Sequence, residues 1–309
     1  MTEPVETVEI TDGAWTLLVA PERGASLARV AWRHPDGDWR EICRRPSVND
    51  IQDRSGSLSR LSSFVMLPFV NRLDGARFVY DGVERCTALN RPEQGCAIHG
   101  LSRESAWRVR DRSETRIVCK DDFAREGAPW RYLATQTVSL EPEGPRIELA
   151  VRNQGDRPMP FGFGLHPWFP RTPESRLRFR AAHTLAPDDR TFPMAVETPD
   201  AQTSFADPVR LEDRIGLDRA YPGWSGTAEI LQADLGYRVE VAGEGALGKG
   251  ALGAVHIFVA PDRPDFCVEP VSHVTDVLNR PEFAPYGDMA RLEPGETLTG
   301  AMRLSAQAL

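Results

Sequence analysis

Two side chains in this sequence have the type and setting for proton transfer. His166 lies in FGFGLHPWFP (Phe161 to Pro170), among aromatics, two glycines and two prolines. An imidazole titrates nearest physiological pH, so it can give or take a proton at little cost. Gly162 and Gly164 would let another backbone or a ligand approach, while Pro167 and Pro170 should end a central strand and leave His166 at its exit. The same residues also suit a structural core histidine. Glu269 closes the apolar run FCVEP, immediately before Pro270. A carboxylate there is partly buried, and burial raises its pKa toward the range of a general base. The alternative is a buried ion pair, for which Arg72 could supply the cation.

Other segments place polar groups beside small or rigid neighbours. MLPFVNRLDG carries Asn71 and Arg72, and the Arg72 fork of donors suits hydroxyls or a carboxylate as well as a surface ion pair. His99 precedes Gly100 in IHGLSRESAW, at what reads as a strand end, and is equally at home as a satisfied structural histidine. Asp218, in GLDRAYPGWSG, could be a ligand or an Asx-turn. Trp168 and the neighbouring phenylalanines offer faces for an apolar ligand surface. His256, inside the apolar run Val255 to Ala260, and His273 read as structural, and His34 and His183 point to nothing specific. Cys96 and His99 have a C-x-x-H spacing without a second ligand pair, which argues against zinc.

The elements that must position these groups are strands. Short runs such as Trp15 to Ala20, Tyr132 to Leu140, Val255 to Ala260 and Thr297 to Leu304 recur along the chain. In Arg146 to Arg152, Ile147, Leu149 and Val151 alternate with charged or small residues, the period of a strand buried on one face. Turn signals separate the runs, among them Asp36-Gly37, Asp81-Gly82 and Pro294-Gly295. Helical periodicity is nearly absent and no composition shift marks a boundary. The expectation is an all-β protein, one large antiparallel β-sandwich domain over 1–309. The Pro-, Asp- and Thr-rich stretch Pro187 to Asp213 reads as a long loop that could flank the site.

Composition narrows the function classes. A net charge of −8 disfavours a nucleic-acid partner, which needs a basic field to meet phosphates. The five widely spaced cysteines suggest no disulfide framework and fit a reducing cytoplasm. The acidic N-terminus lacks the features of a secretion signal, and no apolar run reaches the ~18 residues of a membrane helix.

Taken in order, Asn71-Arg72, His99-Gly100, Gly164 to Phe169 (GLHPWF), Leu217-Asp218 with Gly223-Trp224 behind it, and Val268 to Pro270 (VEP) resemble the aldose 1-epimerase, or galactose mutarotase-like, family. The matches span almost the whole chain. That resemblance implies a large antiparallel β-sandwich and an isomerase that interconverts the α and β anomers of a free aldose, with no cofactor and no metal. It implies Glu269 as the base and His166 as the acid, with Asn71, Arg72, His99, Asp218 and Trp168 binding the sugar. The implied partner is a small-molecule sugar, in a monomer or homodimer. Rival readings are a hexose 6-phosphate epimerase using Arg72 and Arg103, a non-catalytic carbohydrate-binding sandwich, and a family member that has lost activity.

Overall fold

The alternation seen in the sequence becomes two large antiparallel sheets that share one core. The computed structural model describes residues 4–54, 57–245 and 252–309. The first nine-stranded sheet runs, edge to edge, through Val8–Thr11, Trp15–Ala20, Ser26–Arg33, Ser63–Met66, Gly164–Pro170, Asp265–Val271, Ala254–Val259 and Asp218–Pro222, with Trp39–Glu41 paired onto Ser26–Arg33. The second, also of nine strands, has long hairpins at its centre, Arg116–Ala124, Arg131–Glu141, Gly144–Asn153 and Thr297–Ala308. Among the described residues the one α-helix is Val48–Gln52, accompanied by short 3-10 turns. Stacking two sheets buries the apolar face of each and leaves the opposite faces for other uses.

The side chains from the two sheets that fill this core follow strict period-2 logic. Leu165 and Phe169, Phe266 and Val268, and Val255, Ile257 and Val259 point from the first sheet into the shared core. Ile147, Leu149, Val151, Ile230, Val239 and Leu304 meet them from the second. Because successive side chains on a strand face opposite ways, His166 and Trp168, Cys267 and Glu269, and His256 and Phe258 all occupy the other face of the first sheet. That face is covered by the excursion between Ser63–Met66 and Arg108–Arg112. Within it, the small antiparallel pair Arg72–Asp74 with Cys96–Ile98 forms much of the roof.

Two expectations need correction. His166 does not sit at a strand exit but in the middle of Gly164–Pro170, between Ser63–Met66 and Asp265–Val271. Pro167 is tolerated because the ladder to Asp265–Val271 is interrupted where it lies, with partners at Gly164↔Val271 and again from Trp168↔Cys267, and Pro170 is the last residue of the strand. Gly162 and Gly164 make room for protein, not ligand. A Cβ on Gly162 would fall 2.1 Å from His273 Cδ2, and one on Gly164 would meet Met66 and Val271 at under 3 Å.

The stretch 187–213 is more ordered than a bare loop. Pro193–Glu197 forms a hairpin with Thr184–Pro187, and Val209–Arg210 joins the edge of the second sheet. It does flank the site, through the Arg190 pair with Asp74 at 2.8 Å. No helix of the described residues is long and apolar enough to cross a membrane.

Candidate active site

The register of the first sheet lines up the reactive groups. Gly164↔Val271 and Trp168↔Cys267 place His166 opposite Glu269, while His256 pairs with Glu269 and Phe64 with His166. Four adjacent strands therefore carry Phe64, His166, Glu269 and His256 in a row on one face. Asp218 starts the next strand, whose pairing sets it opposite Phe258, so its carboxylate reaches diagonally to His256.

Contacts within the row are close. His166 Nε2 is 3.2 Å from Glu269 Oε1, and both side chains are almost wholly buried. Phe64 stacks on the His166 ring at 4.3 Å, and the His99 ring meets it edge-on at 5.0 Å. His256 Nε2 lies 2.6 Å from Asp218 Oδ1. Arg72 Nη1 is 3.8 Å from Asp218 Oδ2 and donates to Asn71 Oδ1 at 3.4 Å.

The roof holds its residues in an unusual backbone geometry. Asn71 and His99 both have left-handed φ, 52° and 60°, and the His99 N–H donates to the Asn71 carbonyl at 2.8 Å. Non-glycine residues pay for that conformation, and such strain clusters at sites that must hold a side chain in one direction. Gly100 is required beside them. A Cβ there would fall 2.0 Å from the Leu67 carbonyl oxygen.

Asn71, Arg72, His99, His166, Trp168, Asp218 and Glu269 all line one cavity of about 240 Å³. Arg91, Gln94, Ile98, His256, Phe258, Arg263 and Ser59 complete it. The volume falls below the ~300–1,000 Å³ of drug-sized pockets and suits one small polar molecule. Among the residues that line it, His166 Nδ1, His99 Nδ1, Trp168 Nε1 and Glu269 Oε2 are buried and have no hydrogen-bond partner among the described residues. Buried polar atoms are rarely left so, and four around one cavity mark a place where a ligand supplies the partners.

Every sequence-predicted site residue thus reaches the cavity, but three readings change. His256 is not a structural histidine: it faces the cavity and pairs with Asp218. Its apolar surroundings in sequence are the core-facing Val255 and Ile257, and the alternation that exposes it was the signal available. Glu269 takes His166 as its partner, not Arg72, which stands by Asp218. Trp168 lines the cavity with its ring already covered, since the Arg263 guanidinium lies over it at 4.1 Å and that of Arg44 at 4.9 Å. His273 is structural as expected. Its Nε2 accepts from the Val70 N–H at 3.0 Å and its Nδ1 donates to the Val274 carbonyl at 2.8 Å.

Burial sets the protonation of the row. It pushes Glu269 up to about 8, and the nearby positive His256 only partly offsets it. It also holds His166 well below the usual histidine range, helped by the charge of Arg103. At neutral pH the empty site therefore keeps one proton on the Glu269–His166 pair, on the glutamate side. His256 goes the other way. Burial opposes its charge, but the hydrogen bond and charge of Asp218 outweigh burial and raise it, while Asp218 is lowered in turn.

A metal fits this donor set poorly. His166, Cys267 and Glu269 offer atoms within 4.8 Å of one another. Two of these groups are already engaged with each other, His166 Nε2 with Glu269 Oε1 at 3.2 Å, and burial, with the charge of Glu269, drives the Cys267 thiol far above its ordinary range. Cys96 and His99 join no such group among the described residues.

A family profile described as aldose 1-epimerase matches residues 6–305. The chain belongs to the aldose 1-epimerase family. YphB of Escherichia coli K12, an uncharacterized protein, is 30% identical over 284 residues, covering 89% of this chain and 92% of YphB. A solved structure of a candidate aldose 1-epimerase from the same organism superposes with a TM-score of 0.84 at 26% identity, covering 98% of this chain and 99% of that one. A galactose 1-epimerase from Lactobacillus acidophilus shares the fold, with a TM-score of 0.76 at 15% identity over 98% of this chain and 95% of its own. The two-sheet architecture of this family member is the galactose mutarotase-like sandwich.

Proposed function

We propose that this protein is an aldose 1-epimerase that interconverts the α and β anomers of a free aldose. The observation that carries the reading is the buried His166–Glu269 pair, 3.2 Å apart at the floor of a sugar-sized polar cavity. Mutarotation needs a base for the anomeric hydroxyl and an acid for the ring oxygen, acting together. Glu269 takes the proton from the hydroxyl on C1 as His166 gives one to the ring oxygen, and the C1–O5 bond breaks to the open aldehyde. After rotation about C1–C2 the same transfers run backward and close the ring in the other configuration.

The pair rests with its one proton on Glu269, so ring opening requires that proton to pass first to His166 across the 3.2 Å contact. Glutamate with imidazolium, and glutamic acid with neutral imidazole, hold the same number of protons. The first is the arrangement that opens the ring, and the second is the one left when the aldehyde has formed. The pair therefore needs no proton from solvent between opening and closing. His99 stands against the His166 ring, and Arg72, Asn71 and Asp218 present a donor fork, an amide and a carboxylate to the sugar hydroxyls. The chemistry is proton transfer throughout, so the reading calls on no redox group or metal.

A phosphosugar would be opened by the same acid–base pair; of the arginines it would call on, Arg72 is engaged with Asp218 and Arg103 lines a neighbouring cavity. A purely binding role leaves the buried acid–base pair without a purpose. The test is polarimetry of freshly dissolved α-glucose and α-galactose with and without protein. Glu269→Gln and His166→Asn should each lower the enzymatic rate by about 10²–10⁴-fold. Full activity in either folded variant would remove the role assigned to that residue, and sugar binding without any acceleration by the wild type would favour a binding protein.

A further inference from the structure

Beside the sugar cavity lies a second one, of about 290 Å³, whose walls include Arg23, Arg54, Arg91 and Arg103. Arg91 lines both cavities. The acids at the second cavity are Glu22 and Glu104. Glu22 pairs with Arg54 at 2.5 Å, and Glu104 accepts from Asn90 Nδ2 at 3.1 Å. Asp53 and Asp50 act on Arg23. The positive charge left over belongs to Arg91 and Arg103.

Arg103 is the telling group. It is only 4% exposed, yet among the described residues its guanidinium makes no ion pair, and its Nε and Nη1 have no hydrogen-bond partner. Its one marked contact is with the Phe64 ring, at 4.4 Å. Burying a cation in that state is costly unless something meets it. Burial and the neighbouring Arg91 charge hold Arg103 down to about 10, still protonated at neutral pH. Its field reaches the active site, where it adds to the effect of burial in lowering both His166 and His99.

The cavity wall is built, not incidental. A Cβ on Gly24 would fall 2.3 Å from the Arg103 carbonyl oxygen, and the Gly24 N–H donates to the Ser105 carbonyl at 3.0 Å, so the turn carrying Arg23 is seated directly on the Arg103 backbone. Two arginines bordering one small polar cavity offer planar donor forks that match the oxygens of a tetrahedral or planar oxyanion.

We propose that Arg103 and Arg91, with Arg23 beside them, form an oxyanion site next to the sugar cavity, taking sulfate- or phosphate-class anions. The anion is either free in solution or the terminal group of a sugar whose ring lies in the first cavity, since Arg91 borders both. The site stands independently of the epimerase reading, because binding is measured without turnover.

The experiment is isothermal titration of the full-length protein with sodium sulfate at low ionic strength, with sodium chloride at matched ionic strength as control. Sulfate serves because it is too weak a base to catalyse mutarotation itself. Saturable binding near one per chain is expected, weakened about tenfold or more in Arg103→Gln. Arg103→Lys, which keeps the charge but loses the fork, and Arg91→Gln should each weaken it less, and they carry the test if Arg103→Gln fails to fold. Sulfate and glucose bound together would identify a free anion. Glucose 6-phosphate binding more tightly than either, and losing that advantage in Arg103→Gln, would identify the sugar's own phosphate. Both outcomes support the site. No binding beyond that of chloride, or equal affinity in the folded Arg103 and Arg91 variants, overturns it.

Discussion

Replacing His256 by Gln tests the electrostatics of the row. A glutamine amide reaches about as far as the imidazole Nε2, so it can keep the hydrogen bond to Asp218 while removing the charge. His256 and Glu269 sit opposite each other on neighbouring strands, which lie ~4.8 Å apart. At that spacing and an effective dielectric near 20, two bare charges interact by about 3 kcal/mol. Asp218, 2.6 Å from His256, stays in place in the variant, so the substitution removes this attraction rather than a remainder of it. The loss is therefore at most about 3 kcal/mol, or roughly two pH units. The direction is set by two facts: Glu269 loses a cation that favours its carboxylate, and Asp218, left with only Arg72 as counter-charge, still disfavours it.

The pH profile of kcat/KM reads this directly, because it reports the free enzyme. With Glu269 at about 8, the pair loses its single proton as pH rises through that value, so wild-type kcat/KM should fall above about pH 8. In His256→Gln that limb should move upward by roughly one to two units. The assay is polarimetry or NMR of a free aldose from pH 5 to 9.5, with the buffer and hydroxide rates subtracted. A limb that stays in place or moves down refutes the coupling. A wild-type profile flat from pH 7 to 9.5 refutes the assignment of the proton to the pair.

Gly162→Ala should destabilise the fold by about 1–3 kcal/mol in urea unfolding, because the new methyl would meet a His273 ring held at both nitrogens. An unchanged midpoint would mean that the ring is not fixed. Of the five free cysteines, Cys86 is exposed and Cys43, Cys96, Cys119 and Cys267 are buried. A thiol reagent should therefore label one site quickly in the native protein and all five in denaturant. Fast labelling of Cys267 would show that the floor of the site opens.

The fold class was legible because it rests on local information. Alternation in segments such as Arg146 to Arg152, with turn dipeptides between runs, is enough to specify half-buried antiparallel strands. The site residues were legible by type and motif, and they do converge on one cavity. Their partners were not. Glu269 could have met Arg72 as easily as His166, and nothing local distinguishes the two. His256 was misread because apolar neighbours along a chain describe the opposite face of a strand from the residue itself. The prolines at 167 and 270 suggested a strand's end, whereas the ladder accommodates them by a local break around His166.

The sequence by itself determined the inventory: an all-β chain, the alternation along its runs, and the presence of an imidazole, a carboxylate and their polar companions in a family-like order. Only the tertiary structure decided who meets whom. Register between strands far apart in the chain is set by packing the common core of the two sheets, and a slip of one residue would send His166 or Glu269 into that core. That long-range packing puts the proton-carrying atoms 3.2 Å apart, joins His256 to Asp218, and seats Arg103 in a cavity of its own.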